Sequence, residues 1–181
     1  MRKIMVGQFI SLDGVVEAPN EWHFPYVDEQ MMRAMWSTTA GADTMLLGRV
    51  TYESFAGSFA GLSDDDPIGG PMNRPAKVVV SGTLTELAWR TSTLLPAGDV
   101  AERVAELKAG PGGDIAVVGS TRLTRTLLRA GLVDELSLLV HPIVVGAGQR
   151  LFEEDGPRIP LTLIESTTFG TGVVHQRYAK P

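Results

Sequence analysis

Leu46-Leu47-Gly48-Arg49-Val50-Thr51-Tyr52-Glu53-Ser54-Phe55 decides the fold. The segment Asp43 to Leu47 reads as a buried strand, Gly48 as its turn, and Arg49 to Phe55 as the start of a helix. A buried strand that stops at glycine and passes straight into a helix belongs to an α/β sheet with crossover helices. The pattern recurs. In Val117-Val118-Gly119-Ser120-Thr121-Arg122, the strand Ile115 to Val118 gives way to a helix from Thr121 to Ala130, closed by Gly131. Lys77-Val78-Val79-Val80 is a further β-branched run, ending at Ser81-Gly82.

Outward from these junctions, Lys3 to Ile10 reads as a buried strand ending at the turn Ser11-Leu12-Asp13-Gly14, and Asp134 to Val140 as another. Ala88 to Leu95 is expected to supply one or two short strands. Thr162 to Phe169 and Val173 to Ala179, joined through Gly170-Thr171-Gly172, read as a terminal hairpin, so the carboxyl end is antiparallel. Met31, Met32, Met35 and Trp36 recur at helical spacing behind Asp28, as core packing does where a helix meets a sheet. Asp99 is expected to cap a helix carrying Val100, Val104 and Leu107. Val15 to Tyr26 shows no period and is long enough to be a binding element. Ala56 to Pro75, with Asp64-Asp65-Asp66, reads as a solvated surface excursion. No repeat or linker divides the chain, so residues 1–181 form one domain.

Composition narrows the function. Sixteen Lys plus Arg against 21 Asp plus Glu give a net charge of −5, and no basic stripe offers a nucleic-acid surface. Without cysteine there is no disulfide framework, thiol nucleophile or Cys-ligated metal, which fits a cytoplasmic protein. No apolar run approaches the ~18 residues of a membrane span, and Met1-Arg2-Lys3 opens no cleavable leader. P-loop, nucleophile-elbow and H-E-x-x-H patterns are absent. Gly146-Ala147-Gly148 begins a Rossmann fingerprint, but Leu151 stands where the third glycine belongs. His23, His141 and His175 are far apart in sequence and read as surface or satisfied structural residues rather than metal ligands. No metal is expected. Hydride transfer remains, because the cofactor carries that chemistry and the protein supplies orientation and a dry pocket.

The strand-to-helix junctions are the candidate sites. Open N–H groups of a first helical turn favour an anion, and glycine permits close approach. Thr51 or Thr121 adds a hydroxyl, and Arg49 or Arg122 a guanidinium fork suited to phosphate. Two such junctions, at Gly48 and at Gly119-Ser120, imply a diphosphate, although either alone also occurs in α/β proteins for steric reasons. Ser81 and Gly82, together with Arg49, could take a ribose 2′-phosphate and so favour NADP over NAD; the plain alternative is a simple turn.

In order and spacing, the segments from Leu46 to Phe55, Lys77 to Ser81 and Val117 to Ser120, with Leu127-Leu128 and Val133-Asp134-Glu135-Leu136, resemble the dihydrofolate reductase-like fold. Ser11-Leu12-Asp13-Gly14, Gly131 to Leu136, Pro142-Ile143-Val144-Val145-Gly146-Ala147-Gly148 and Leu151-Phe152 are similar to the reductase domain of riboflavin biosynthesis, the RibD C-terminal domain. The resemblance runs from Lys3 to Ala179. It implies an α/β three-layer sandwich with a mostly parallel central sheet of about eight strands and a C-terminal antiparallel hairpin. It also implies NADPH across the strand ends, with Gly48, Arg49 and Thr51 at the phosphates and Ser81 and Gly82 toward the 2′-phosphate. Gly119, Ser120, Thr121 and Arg122 then form the second phosphate turn. Asp13 matches the acidic position beside the nicotinamide, where it would orient substrate or assist proton delivery; Asp-Gly is equally an ordinary turn pair.

Asp28 and Glu29 fall near the pterin-binding carboxylate of dihydrofolate reductases, and by themselves read as a helix cap and first-turn acid. The family often has Gly-Gly, with a cis peptide, where this chain has Gly119-Ser120. The zinc deaminase that accompanies the reductase in bifunctional riboflavin enzymes needs cysteines and is absent from this sequence. The implied activity is reduction of a phosphoribosylamino-pyrimidine, or of a small carbonyl, imine or pteridine-like compound, by a stand-alone cytoplasmic homodimer with no nucleic-acid or membrane partner. A nucleotide- or pteridine-binding protein without turnover, and dihydrofolate reductase proper, are the alternatives.

Overall fold

The computed structural model describes residues 1–37 and 39–181. Its N-terminal apolar run becomes β1 (Ile4–Ser11), which lies mid-sheet with a parallel neighbour on each side. A strand so placed is covered on both faces. Ile4, Val6 and Ile10 therefore enter one core layer while Phe9 packs into the other. After two short 3₁₀ turns the chain forms α1 (Glu29–Ser37), then β2 (Ala42–Gly48), α2 (Arg49–Phe59) and α3 (Gly69–Asn73). Next come β3 (Ala76–Ser81), β4 (Ser92–Pro96), α4 (Val100–Ala109), β5 (Asp114–Val118) and α5 (Thr121–Arg129). The chain ends with β6 (Glu135–His141), β7 (Thr162–Thr168) and β8 (Val174–Ala179).

The eight strands form one sheet in the order β4-β3-β2-β5-β1-β6-β8-β7. Neighbours from β4 to β6 are parallel, and β8 and β7 are antiparallel. This is the expected mostly parallel sheet with its C-terminal hairpin. Within the hairpin the last strand lies inside and β7 forms an edge exposed along its whole length. Alternation along β2 separates the layers. Leu46 joins Val104 of α4 and Leu127 of α5, whereas Met45 and Leu47 face Tyr52 of α2 and Met72 of α3. Met31 of α1 packs on Leu139, Phe169 and Val173, as the methionine spacing predicts.

Helix ends follow local chemistry. Asp28 caps α1 through the Met31 amide at 2.8 Å. Gly131, at φ 64°, ends α5 in a Schellman arrangement, with Gly131 N donating to Leu128 O and Leu132 N to Leu127 O. Asp99 does not cap α4. Its backbone is left-handed, at φ 50°, whereas a capping side chain needs the extended conformation to reach the first-turn amides. Ala88 to Leu95 yields one strand, β4, not two. The 56–75 stretch is only partly an excursion, because α3 buries Gly69, Gly70, Met72 and Asn73. The triple Asp does lie in an exposed loop, where Asp66 caps the Ile68 and Gly69 amides at 2.9 and 2.7 Å. Among the described residues no helix is long and apolar enough to cross a membrane.

Candidate functional site

Parallel pairing places the carboxyl ends of β3, β2, β5, β1 and β6 side by side, so Ser81, Gly48, Gly119, Ser11 and His141 form a row along one rim of the sheet. From β3 to β1 is three strand spacings, ~14 Å. Such a rim suits an elongated ligand lying across the strands.

In the middle of the row the two glycine junctions are joined. The Gly48 amide donates to Ser120 Oγ at 2.9 Å, and the Ser120 amide donates to Thr51 Oγ1 at 3.1 Å. Gly119 and Ser120 are both left-handed, at φ 63° and 54°, and no cis peptide occurs among the described residues. A Cβ on Gly119 would stand 3.3 Å from Thr51 Cγ2. From below, Thr124 Oγ1 donates to the Gly119 carbonyl at 3.1 Å, and the buried Gln8 side chain donates to both that carbonyl and Thr124. Gln8 was not marked by any motif. Only its polarity inside an apolar strand signals a structural task.

Neither α2 nor α5 carries a capping side chain, so their first-turn amides, including those of Arg49, Val50, Thr121 and Arg122, have no side-chain acceptor. Helix α4, behind the outermost strand β4, also starts uncapped. Arg49 is half exposed and pairs with Glu53 at 3.0 Å. Such a surface pair is worth ~0–1 kcal/mol, so the guanidinium can turn to a phosphate at little cost. Arg122 is exposed, while Arg125 and Arg129 are tied to Glu153 and Arg125 also to the Arg150 and Leu151 carbonyls. Ser81 Oγ is buried and accepts from the Thr83 and Leu84 amides at 3.1 and 3.0 Å, closing its own turn; Gly82 is exposed beside it.

Asp13 follows β1, where its carboxylate accepts from Ser11 Oγ at 2.7 Å and from the Val145 and Gly146 amides at 3.0 and 2.9 Å. These donors, the Ser11 hydroxyl first, hold its pKa down to about 2. It is an anion that ties the 11–14 turn to the 145–146 loop. Asp28 is engaged at its cap, and Glu29 pairs with Arg33 on the surface at 3.3 Å.

At the β6 end of the row the structure gathers residues that the sequence keeps apart. His141 is fully buried, ringed by Phe9, Trp22 and Tyr26, with ring centroids 5.7, 5.1 and 5.6 Å away. His23 stacks on Phe9 at 4.9 Å and lies 6.4 Å from His141. The unperiodic 15–26 segment thus closes over the rim. His175 instead bonds Ser137 Oγ at 2.8 Å, deep in the sheet. His141 departs from the expected surface or satisfied role, because its Nε2 is buried with no hydrogen-bond partner.

With this rim in place, the family is defined: the chain belongs to the RibD C-terminal domain family, whose model matches residues 2–175. It is 30% identical to the uncharacterised protein YyaP of Bacillus subtilis over 98% of this chain and 94% of that one. It is 26% identical to a second uncharacterised protein of the same organism, YwjB, over 95% of each. Among solved structures, a riboflavin biosynthesis protein from Shewanella sp. PV-4 superposes with a TM-score of 0.76 at 20% identity, over 99% of both chains. A pyrimidine reductase-like protein from Corynebacterium diphtheriae gives 0.69 at 16% identity, over 98% of this chain and 91% of that one. At such identities these two speak for the fold alone.

Proposed function

We propose that this chain is an NADPH-dependent reductase of the riboflavin-biosynthesis type, transferring hydride to a phosphoribosylamino-pyrimidine or a related carbonyl, imine or pteridine-like substrate. The observation that carries the reading is the joined pair of junctions, Gly48 to Ser120 and Ser120 to Thr51, which aims two uncapped helix starts at one place on the rim. The donor set fits a diphosphate, being backbone amides with a mobile guanidinium on either side. Arg49, with exposed Gly82 just past the end of the neighbouring strand β3, would take the 2′-phosphate; Gly48, Thr51 and the 119–122 turn would hold the diphosphate. NADPH, when bound, supplies the hydride. The chain's own part is to hold the phosphates, to keep water from the rim by the 15–26 segment, and to fix the Asp13 turn beside the reacting ring. Asp13 then orients substrate as an anion. Membership of the RibD C-terminal domain family supports the reading.

One observation favours a second reading, a binding protein without turnover. The carboxylates of Asp13 and Asp28 are both engaged by backbone amides, which leaves neither poised as a proton donor. Fluorescence titration with NADPH tests the reductase reading: saturation is expected, and none up to ~1 mM would remove it and leave only a protein that binds a pteridine or another nucleotide. NADPH oxidation with candidate pyrimidines then separates enzyme from binder. Cytoplasmic location and a homodimer belong to the same proposal, and light scattering after size exclusion reads the second.

A further inference from the structure

The proposed cofactor rim leaves His141 and His23 without a task. Both sit at the far end of the row: His141 pairs in register with Ser11, and His23 lies on Phe9 of the same strand. Their hydrogen bonds fix their tautomers. His141 Nδ1 lies 2.8 Å from the Leu139 carbonyl and His23 Nδ1 2.8 Å from the Pro19 carbonyl. A carbonyl only accepts, so each Nδ1 carries the proton and each Nε2 of a neutral ring presents a lone pair. Burial favours the neutral ring in both, pushing His23 down to about 4. The Ile10 carbonyl is near enough to favour a charged His141 but makes no hydrogen bond with its Nε2. His141 Nε2 is thus a buried acceptor with no donor, in a fully enclosed side chain, which is costly unless something that reaches it brings an N–H or O–H.

Trp22 covers it edge-on, itself buried and held by its indole N–H on the Glu17 carbonyl at 3.1 Å, while the single 3₁₀ turn on either side of it contains no buried residue. Phe24, 65% exposed, and Leu12 and Val144, each 67% exposed, leave apolar surface around this end of the rim. An aromatic wall with acceptor nitrogens suits a flat, donor-bearing ring.

The geometry points to His141 and His23 as a pair of hydrogen-bond acceptors for ring N–H groups of the substrate, reached when Trp22 swings aside. This rests on the reductase reading, since it names what that site would select: a planar ring with unsubstituted N–H groups, recognised through imidazole nitrogens.

Lumazine, a pteridinedione with two ring N–H groups, and its N,N′-dimethyl derivative form the probe pair. With NADPH present, the intact protein is expected to bind lumazine about tenfold more tightly, the scale of two neutral hydrogen bonds. His141→Phe and His23→Phe are each expected to cut that preference severalfold, which a purely steric rejection of the methyl groups would not do. Should His141→Phe fail to fold, the part-exposed His23→Phe and the imidazole nitrogen spectrum of the intact protein carry the test. Both Nε2 resonances should be unprotonated at pH 7 and should move with lumazine but not with its dimethyl derivative. Equal affinities, binding of neither probe, a protonated Nε2, or an undiminished preference in His23→Phe overturns the assignment. Lumazine preference without NADPH binding would support the pair and overturn the reductase reading alone.

Discussion

The Ser120 hydroxyl accepts the Gly48 amide at 2.9 Å, joining strand ends 72 residues apart in the chain. Because the Ser120 amide donates in turn to Thr51 at 3.1 Å, the serine fastens the second phosphate turn to the first. Ser120→Ala leaves the Gly48 amide without that acceptor and costs about 1 kcal/mol. A melting temperature lower by ~2–4 °C is expected, with NADPH affinity down severalfold. Ser120→Gly also loses the hydroxyl but relieves the left-handed backbone at φ 54°, so its melting temperature should lie above that of Ser120→Ala while NADPH binding is still weakened. Thermal melts and NADPH titrations of the two variants check this.

The two glycines of the junctions differ in what they tolerate. Gly119 is left-handed, and a Cβ there meets Thr51; Gly48 has an extended φ of −78°, and its nearest atom to an added Cβ is Ser120 Oγ at 3.6 Å. Gly119→Ala should therefore destabilise by about 1–2 kcal/mol, while Gly48→Ala leaves stability close to the parent. Both should weaken NADPH. Urea denaturation separates them, and equal stability losses would count against the left-handed turn.

Much of this was legible in the sequence and some was not, for physical reasons. β2, β5 and β1 announce themselves because strands covered on both faces are largely apolar, and Gly48 and Gly119 mark where β2 and β5 stop. α3 was hidden because Gly69-Gly70-Pro71 reads as a helix breaker. Packing overrides propensity there: a Cβ on Gly70 would collide with the Asp64 carbonyl, so the glycines permit the close approach. Asn73 completes it, donating to the Phe59 and Leu62 carbonyls at 3.1 and 2.9 Å and accepting the Trp89 indole N–H at 2.6 Å. The phosphate junctions were legible as motifs, whereas their joining through Ser120 was not, because it depends on β2 and β5 being neighbours. The convergence of His23 with His141 has no local signal at all, since strand β6 and a turn-rich loop bring them together only in three dimensions.

Acid should weaken the fold from about pH 6.5 downward through the buried histidines. Burial lowers the pKa of His23, His141 and His175 below the ordinary 6.5. Between the unfolded and folded values the unfolded chain binds more protons, so stability falls as pH drops through 6.5, by at most ~1.4 kcal/mol per pH unit for each histidine. For His23 the loss continues to about pH 4. Denaturation midpoints at pH 7, 6 and 5 should decline in order, with a shallower slope in His23→Asn. A flat profile would mean that the rings are not buried as described.

Lys77 predicts the opposite end of the pH scale. It is fully buried, donates to the Asn73 carbonyl at 2.6 Å and lies 4.4 Å from the Trp89 ring centroid. Burial pushes its pKa down to about 8 from 10.5. Its charged form is thus a strain on the fold below pH 8, and the strain is released as pH rises from 8 toward 10.5, because the unfolded chain holds the proton longer. Relative to Lys77→Met, the parent should gain stability between pH 7 and pH 10. A parent that loses ground over that interval would show that the ammonium is well compensated in place.

The most direct test of the account is a crystal structure of the protein with NADPH. The diphosphate is predicted to lie across the amides of Arg49, Val50, Thr121 and Arg122, beside the Gly48–Ser120 junction, with the 2′-phosphate at the Arg49 side chain and the nicotinamide toward Ser11 and Phe9. Cofactor seated away from the Gly48 and Ser120 junctions, or no cofactor bound at millimolar soaking, would contradict it.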